Sequence, residues 1–300
     1  MKLKVLVLKK QQLIWAVVIV AVIIASILLF INLRKNDSSR TTSSQNRYSA
    51  DLNNDGKDDS IVLYTDEETG KYTVNVVLSN GKGFTLEPDP TIKSLGYNKE
   101  WWSMSVSIKD VNKDNVDEVI LQSGDDLGPI LHIFKYDSAT DTMKRITSGR
   151  YSMFGTLKEP SKDHPVIVLG YKVGEEIKLT YLDASGGKLA PYSSSSSLTL
   201  GKDAIASVLT LVENEDVEAS TINIDSKYAS KLVKGEYLDC SLYEAKYTKY
   251  EVPSECTYIM RTAVTYNELK ECMTYKIKMT LNSYKDKVPV YSISSVEVLP

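Results

Sequence analysis

The chain has 300 residues, a hydrophobic share of 42% and a formal net charge of −3. Six of its 36 basic residues and none of its 39 acidic residues lie in residues 1–35, so residues 36–300 hold 30 basic against 39 acidic residues, a net charge of −9. This acidic remainder argues against nucleic acid as a partner and suits the binding of cations.

Near the N-terminus, residues 13–33 are predicted to form a single transmembrane helix. The run Leu13–Ile31 contains one polar residue, Ser26, and at about 1.5 Å per residue it is long enough to cross a hydrocarbon core of about 30 Å. An uncut anchor is favoured over a cleaved signal peptide, whose apolar stretch is typically about 7–15 residues. The lysines of residues 1–12 predict a short cytoplasmic tail. The predicted location is the cell membrane, single-pass, with most of the chain extracytoplasmic.

A polar, Ser/Thr-rich linker at 34–47 is followed by a region, 48–190, that is predicted to be a β-rich domain. Short runs of β-branched and aromatic residues alternate there with Gly, Asp and Asn turns, which is typical of antiparallel strands. The predicted strands are 60–64, 71–79, 101–108, 118–123, 130–136, 166–171 and 176–182.

Residues 191–200 form a Ser-rich segment that predicts a linker between domains, with a long surface loop inside one domain as the alternative. Residues 201–300 are predicted to form a small α+β domain with an antiparallel sheet. Apolar spacing predicts a helix at 202–214, and a second helix is expected at 225–235, with Asp225 as its cap and Gly235 as its stop. Four strands follow, at 237–251, 256–265, 271–281 and 288–298.

The three cysteines, Cys240, Cys256 and Cys272, cannot all pair within one chain. One disulfide with a free thiol and three reduced, buried thiols are both compatible with the sequence, and burial is favoured. Zinc binding is not expected, because the chain has no CxxC motif and neither histidine is near the cysteines.

Two segments repeat one pattern of acidic and amide residues. DLNNDGKDDSIVLY begins at Asp51 and DVNKDNVDEVILQS begins at Asp110, and both follow D-x-N-x-D-[G/N]-x-x-[D/E] before a β-branched run. Oxygen side chains at loop positions 1, 3 and 5, a carbonyl at 7 and an acid at 9 can surround one cation. The predicted ligands are Asp51, Asn53, Asp55, Lys57 (carbonyl) and Asp59 in the first loop, and Asp110, Asn112, Asp114, Val116 (carbonyl) and Glu118 in the second.

Hard oxygen donors in a flexible loop favour Ca²⁺ over Zn²⁺ or Cu²⁺. An EF-hand would need Glu at position 12 and flanking helices, but Val62 and Leu121 stand at position 12 and strands are predicted to follow. A polar turn without a metal is the alternative interpretation. The expected affinity is weak, on the order of 10⁻⁴–10⁻³ M.

The pattern resembles the calcium loops of FG-GAP or VCBS repeats, the blade units of integrin-α-type β-propellers. The resemblance covers roughly residues 48–190 and does not extend to 201–300. It implies a structural Ca²⁺ in a loop that joins two strands of a blade. A degenerate third copy around Asp163 lacks the ligand set. Since a propeller usually needs about four to eight blades, a truncated sheet stack or compact β-domain is as compatible as a propeller.

The predicted fold class is thus mainly β, with a single N-terminal transmembrane helix, a β-rich, partial-propeller-like domain and a small α+β domain. No nucleophile, zinc or phosphate-loop motif is found, and no catalytic or cofactor-binding residue is predicted. Asp125–Asp126 could serve as glycosidase carboxylates but fit a turn better. The predicted function is a membrane-anchored extracytoplasmic binding or structural protein with a calcium-stabilised β-domain. Its expected partners are the membrane and a protein or glycan ligand. The alternative is a cell-envelope hydrolase or its accessory subunit.

Overall fold

Three antiparallel meanders of four strands each succeed one another along the first part of the chain. The computed structural model describes residues 47–158, 165–174, 176–184, 189–192, 198–222, 224–247 and 252–300. The first meander is a separate sheet in the order β1-β2-β3-β4. Its strands are β1 (Arg47–Ala50), β2 (Asp59–Thr65), β3 (Tyr72–Val77) and β4 (Gly83–Thr85). Alternate residues of β2 and β3 are buried, as expected for strands with one face on a core.

The second meander repeats this arrangement in a sheet of order β5-β6-β7-β8. Its strands are β5 (Ser105–Lys109), β6 (Glu118–Asp125), β7 (Gly128–Asp137) and β8 (Thr142–Gly149). All eight residues of β6 are buried, because this sheet has a hydrophobic cluster on each face. Val119 and Leu121 contact the core shared with the first sheet, whereas Ile120 contacts the core shared with the third meander.

The third meander is joined to the C-terminal strands in one eight-stranded sheet, in the order β12-β11-β10-β9-β13-β14-β15-β16. The strands of the meander are β9 (Met153–Leu157), β10 (Val166–Val173), β11 (Glu176–Asp183) and β12 (Ala190–Pro191). The C-terminal strands are β13 (Glu236–Tyr247), β14 (Pro253–Tyr266), β15 (Leu269–Lys285) and β16 (Val288–Leu299). β9 and β13 pair in parallel, and this pairing joins the two halves of the sheet. The sheet therefore includes strands from both sides of the predicted linker at 191–200.

Helix α1 (Lys202–Glu213) packs on the eight-stranded sheet, followed by a 3₁₀ turn (Ala219–Ile222) and α2 (Ser226–Ala229). The helix predicted at 202–214 is thus confirmed, and it buries Ile205, Val208 and Leu209. The prediction for 225–235 was wrong in length. Asp225 caps α2 as expected, accepting the Lys227 N–H, but the helix ends at Ala229.

The shortening of α2 has a tertiary cause. The Val233 N–H donates to the Tyr275 hydroxyl at 3.1 Å, and the Gly235 N–H donates to the Val212 carbonyl at 2.8 Å. A Cβ on Gly235 would lie 2.4 Å from the Ala263 carbonyl oxygen. Glycine is therefore needed here for close approach to β14 and does not serve as a helix stop.

The predicted fold class requires a correction in its membrane component. No helix in the described ranges is long and apolar enough to cross a membrane. The longest of them, α1, has 12 residues, which at about 1.5 Å per residue is well short of a core of about 30 Å. The transmembrane helix predicted for residues 13–33 lies outside the described residues, as do the tail and most of the polar linker. What the structure describes is a mainly β chain with short helices on one sheet.

The three cysteines are unpaired, and the burial expected for all three is found for two of them and is wrong for Cys272. Cys240 and Cys256 are buried in the core of the eight-stranded sheet, whereas Cys272 is exposed. Burial raises the pKa of Cys256 to about 12, so this thiol is inert at neutral pH.

Candidate functional site

The first aspartate-rich loop connects β1 to β2 and curls back on itself. Two of its residues have left-handed backbone conformations, Asn54 at φ 59° and Gly56 at φ 82°. Asn and Gly are the residues that adopt this conformation at least cost. The sequence thus supplies suitable residues at loop positions 4 and 6, where the chain reverses.

The second loop connects β5 to β6 and has the same backbone shape. Lys113 at position 4 has φ 61°, and Asn115 at position 6 has φ 69°. A lysine in this conformation is less favourable than asparagine, so the loop is held by its surroundings as well as by its own preferences. Both loops occupy the first connection of a four-stranded meander.

Five hydrogen bonds recur at equal positions in the two loops. The N–H at position 5 donates to the side chains at positions 1 and 3, and the N–H at position 6 also donates to the side chain at position 1. The N–H at position 7 donates to the side chain at position 5. The N–H at position 2 donates to the acid at position 9. The respective lengths are 3.1, 3.0, 2.8, 2.9 and 2.8 Å in the first loop and 3.2, 3.0, 3.0, 3.1 and 2.7 Å in the second. The side chains at positions 1, 3, 5 and 9 are therefore held against the backbone N–H groups of each loop in the same way.

The acid at position 9 is buried in both loops. Asp59 is 1% exposed and Glu118 is 0% exposed. Burial raises the pKa of Asp59, and the nearby carboxylates of Asp55 and Asp51 raise it further. Burial, together with Asp110 and Asp117, raises the pKa of Glu118 to about 7. In both loops, burial and the neighbouring carboxylates thus disfavour the charged form of the acid at position 9.

The donor set of the two loops has the chemistry that Ca²⁺ prefers. All predicted side-chain donors are carboxylate or amide oxygens, which suits a hard cation. Each oxygen that accepts a loop N–H has a further lone pair. Within the described part of the chain, however, no group of three or more His, Cys, Asp or Glu side chains is arranged as a metal site. The oxygen chemistry fits Ca²⁺, and the ten predicted ligands remain a prediction.

The structure also identifies residues around the loops that the pattern could not. The Ser79 hydroxyl donates to Asp55 Oδ2 at 2.8 Å, and the Ser79 N–H donates to Asp59 Oδ1 at 2.8 Å. At the second loop, the Lys135 ammonium contacts Asp114. Ser79 lies in the turn after β3 and Lys135 lies within β7, both outside the motifs, so only the strand register could have indicated them.

The candidate enzyme residues have structural roles where they are described. Asp125 forms two hydrogen bonds with the Arg150 guanidinium, at 2.8 and 2.9 Å, and accepts the Leu127 N–H in the β6–β7 turn. Burial raises the pKa of Asp125, but the hydrogen bonds from Arg150 outweigh this, and the pKa lies below its usual value. Asp125–Asp126 thus lies at the β6–β7 turn, as favoured from the sequence. A carboxylate held in its charged form is also a poor general acid.

The histidines and the Trp101–Trp102 pair lie outside both loops. His132 is buried, whereas His164 lies outside the described residues. Trp102 is buried, and Trp101 lies beside Lys270, whose Nζ is 5.2 Å from the ring centroid. At most one of the two tryptophans is therefore accessible.

Comparison with known proteins identifies part of the chain. Residues 51–121 match the model of a family described as FG-GAP-like repeat. The matched segment contains both loops, and the resemblance predicted from them is confirmed over this segment. A search of curated proteins found none that matches the chain.

Proposed function

We propose that this FG-GAP-like segment belongs to a β-rich binding or structural domain that Ca²⁺ stabilises through the first loop. The observation that carries the proposal is the set of loop N–H groups that hold the side-chain oxygens at positions 1, 3, 5 and 9, the last being the buried Asp59. Among the described residues, no ion pair involves Asp51, Asp55 or Asp59.

The residues that would hold the ion are Asp51, Asn53, Asp55, the Lys57 carbonyl and Asp59. When bound, Ca²⁺ supplies positive charge that offsets the repulsion among these carboxylates. The chain itself orients them: the loop N–H groups fix Asp51 and Asp55, and Ser79 connects Asp55 and Asp59 to the end of β3. A bound ion would therefore strengthen the attachment of the β1–β2 connection to β3.

The weak affinity expected for such loops, about 10⁻⁴–10⁻³ M, suits an extracytoplasmic setting in which calcium is abundant. We also propose that this domain binds a protein or glycan ligand, as expected from the sequence. No described contact favours the hydrolase alternative, because the acidic pair Asp125–Asp126 forms a turn.

Thermal unfolding of the full chain tests this function. At about 5 mM Ca²⁺ and the expected affinity, linkage predicts a stabilisation of roughly 1–2 kcal/mol. The melting temperature should then rise by roughly 2–8 °C relative to chelator. Asp55→Ala should abolish this rise. The matched control is Asp114→Ala, the same substitution at position 5 of the second loop. An unchanged melting temperature in wild-type protein contradicts the proposal.

A further inference from the structure

Lys135 lies directly over the second loop. It follows Phe134 in β7, and Phe134 pairs with Val119, the residue after the buried acid Glu118. The Lys135 ammonium contacts the Asp114 carboxylate and lies 3.9 Å from Glu118 Oε1, and its side chain is only 16% exposed. A fixed positive charge from the neighbouring strand is therefore held between the acids at positions 5 and 9.

The first loop has no such lysine at the matching place. Val77 of β3 pairs with Ser60, the residue after Asp59. The next residue is Leu78, which is 2% exposed and carries no charge. In the second loop, Lys135 contacts Asp114 Oδ2. The corresponding atom of the first loop, Asp55 Oδ2, accepts a hydrogen bond from the Ser79 hydroxyl instead. The two loops share a backbone and a hydrogen-bond pattern but differ in whether the chain supplies a cation.

A second cation is disfavoured in a loop that already holds one. A divalent ion bound by Asp110, Asp114 and Glu118 would be repelled by the nearby ammonium. For the ion to bind, Lys135 would have to leave a largely buried position and its contact with Asp114. The Lys135 ammonium already supplies part of the positive charge that the ion would bring.

We propose that Lys135 acts as the built-in cation of the second loop and confines Ca²⁺ to the first loop. The statement about the first loop rests on the function proposed above, whereas the statement about the second loop does not. Lys135 is thus a specificity-determining residue. It forms an internal ion pair with Asp114 in one of two loops that are otherwise similar.

Lys135→Met tests this inference, because methionine retains an unbranched apolar side chain and removes only the ammonium. The full chain, labelled with ¹⁵N, is titrated with Ca²⁺ to about 5 mM, above the range of about 10⁻⁴–10⁻³ M expected for such loops. The Gly56 amide reports on the first loop and the Asn115 amide on the second. Lys135→Arg is the control that retains a positive charge.

In wild-type protein and in Lys135→Arg, we expect the Asn115 amide to show no saturable shift. In Lys135→Met it should shift and saturate in the millimolar range. A saturable Asn115 shift in wild-type protein overturns the proposal, and so does a silent Asn115 in folded Lys135→Met. A silent Gly56 amide in every variant would refute calcium binding by the first loop, but the Asn115 response would still decide the role of Lys135.

Discussion

Asp239→Ala is expected to lower the free energy of unfolding by about 3–5 kcal/mol, the cost of breaking a buried ion pair by removing one partner. Asp239 accepts the Arg261 Nε–H at 2.7 Å and the Trp102 Nε1–H at 2.8 Å. The ion pair is largely buried, with side-chain exposures of 6% for Asp239 and 11% for Arg261. The substitution would leave a buried guanidinium and a buried indole N–H without this partner.

The Asp239 cluster attaches the segment before β5 to the C-terminal sheet. Arg261 also donates to the Ser103 carbonyl at 2.9 Å, so the loss of Asp239 should weaken contacts between elements that are distant in sequence. Urea unfolding of the full chain measures the effect. The double variant Asp239→Ala/Arg261→Met should be more stable than the sum of the single changes predicts, because the charge left uncompensated is removed.

An exposed ion pair provides the control for Asp239. Lys178 Nζ lies 2.8 Å from Glu176 Oε2, with side-chain exposures of 51% and 71%. Glu176→Gln should change stability by at most about 1 kcal/mol. If Asp239→Ala costs as little as this control, the buried cluster does not stabilise the fold.

Acidification is expected to destabilise the protein through His132 by about 3 kcal/mol, as the pH falls from about 6.5 to about 4. His132 is fully buried, stacks on Phe134 with ring centroids 5.9 Å apart, and accepts the Asp89 N–H at Nε2. Burial lowers its pKa to about 4. Arg145 acts in the same direction, and Asp89 opposes it.

The sign follows from which state binds the proton. Between the folded pKa of about 4 and the ordinary value of 6.5, the unfolded chain is protonated at His132 and the folded chain is not. Protonation of His132 therefore favours unfolding in this pH window. The stability of the fold escapes this loss only above the window.

His132→Gln isolates this effect, because it retains a hydrogen-bond acceptor and removes the titration. Urea unfolding of both proteins gives the difference in their free energies of unfolding, in which the other titrating groups cancel. Between about pH 7 and pH 5, the free energy of unfolding of wild-type protein should fall by about 2 kcal/mol relative to that of His132→Gln. A difference that does not change with pH would refute the assignment to His132.

The loops and most strands could be predicted because their signals are local. The spacing of acids within nine positions was sufficient to locate both loops, and the family match over residues 51–121 agrees with it. Runs of β-branched and aromatic residues between turn residues likewise located strands such as β2 and β3, in which alternate residues are buried. β9 was missed because MFGTL is not such a run, although four of its five residues are buried.

What could not be predicted depends on contacts between distant elements. Lys135 reaches Asp114 only through the register of β6 and β7. Trp102 reaches Asp239 across 137 residues. The second helix was predicted too long because its last turn is replaced by hydrogen bonds to Tyr275 and Val212, which no local propensity encodes.

Calorimetric titration of Ca²⁺ into the full chain, with Asp55→Ala and Asp114→Ala measured beside it, tests the central claim most directly. We predict saturable binding at about 10⁻⁴–10⁻³ M that is lost in Asp55→Ala and retained in Asp114→Ala. Absence of binding by the wild-type chain, or binding that survives Asp55→Ala unchanged, would contradict a calcium site in the first loop.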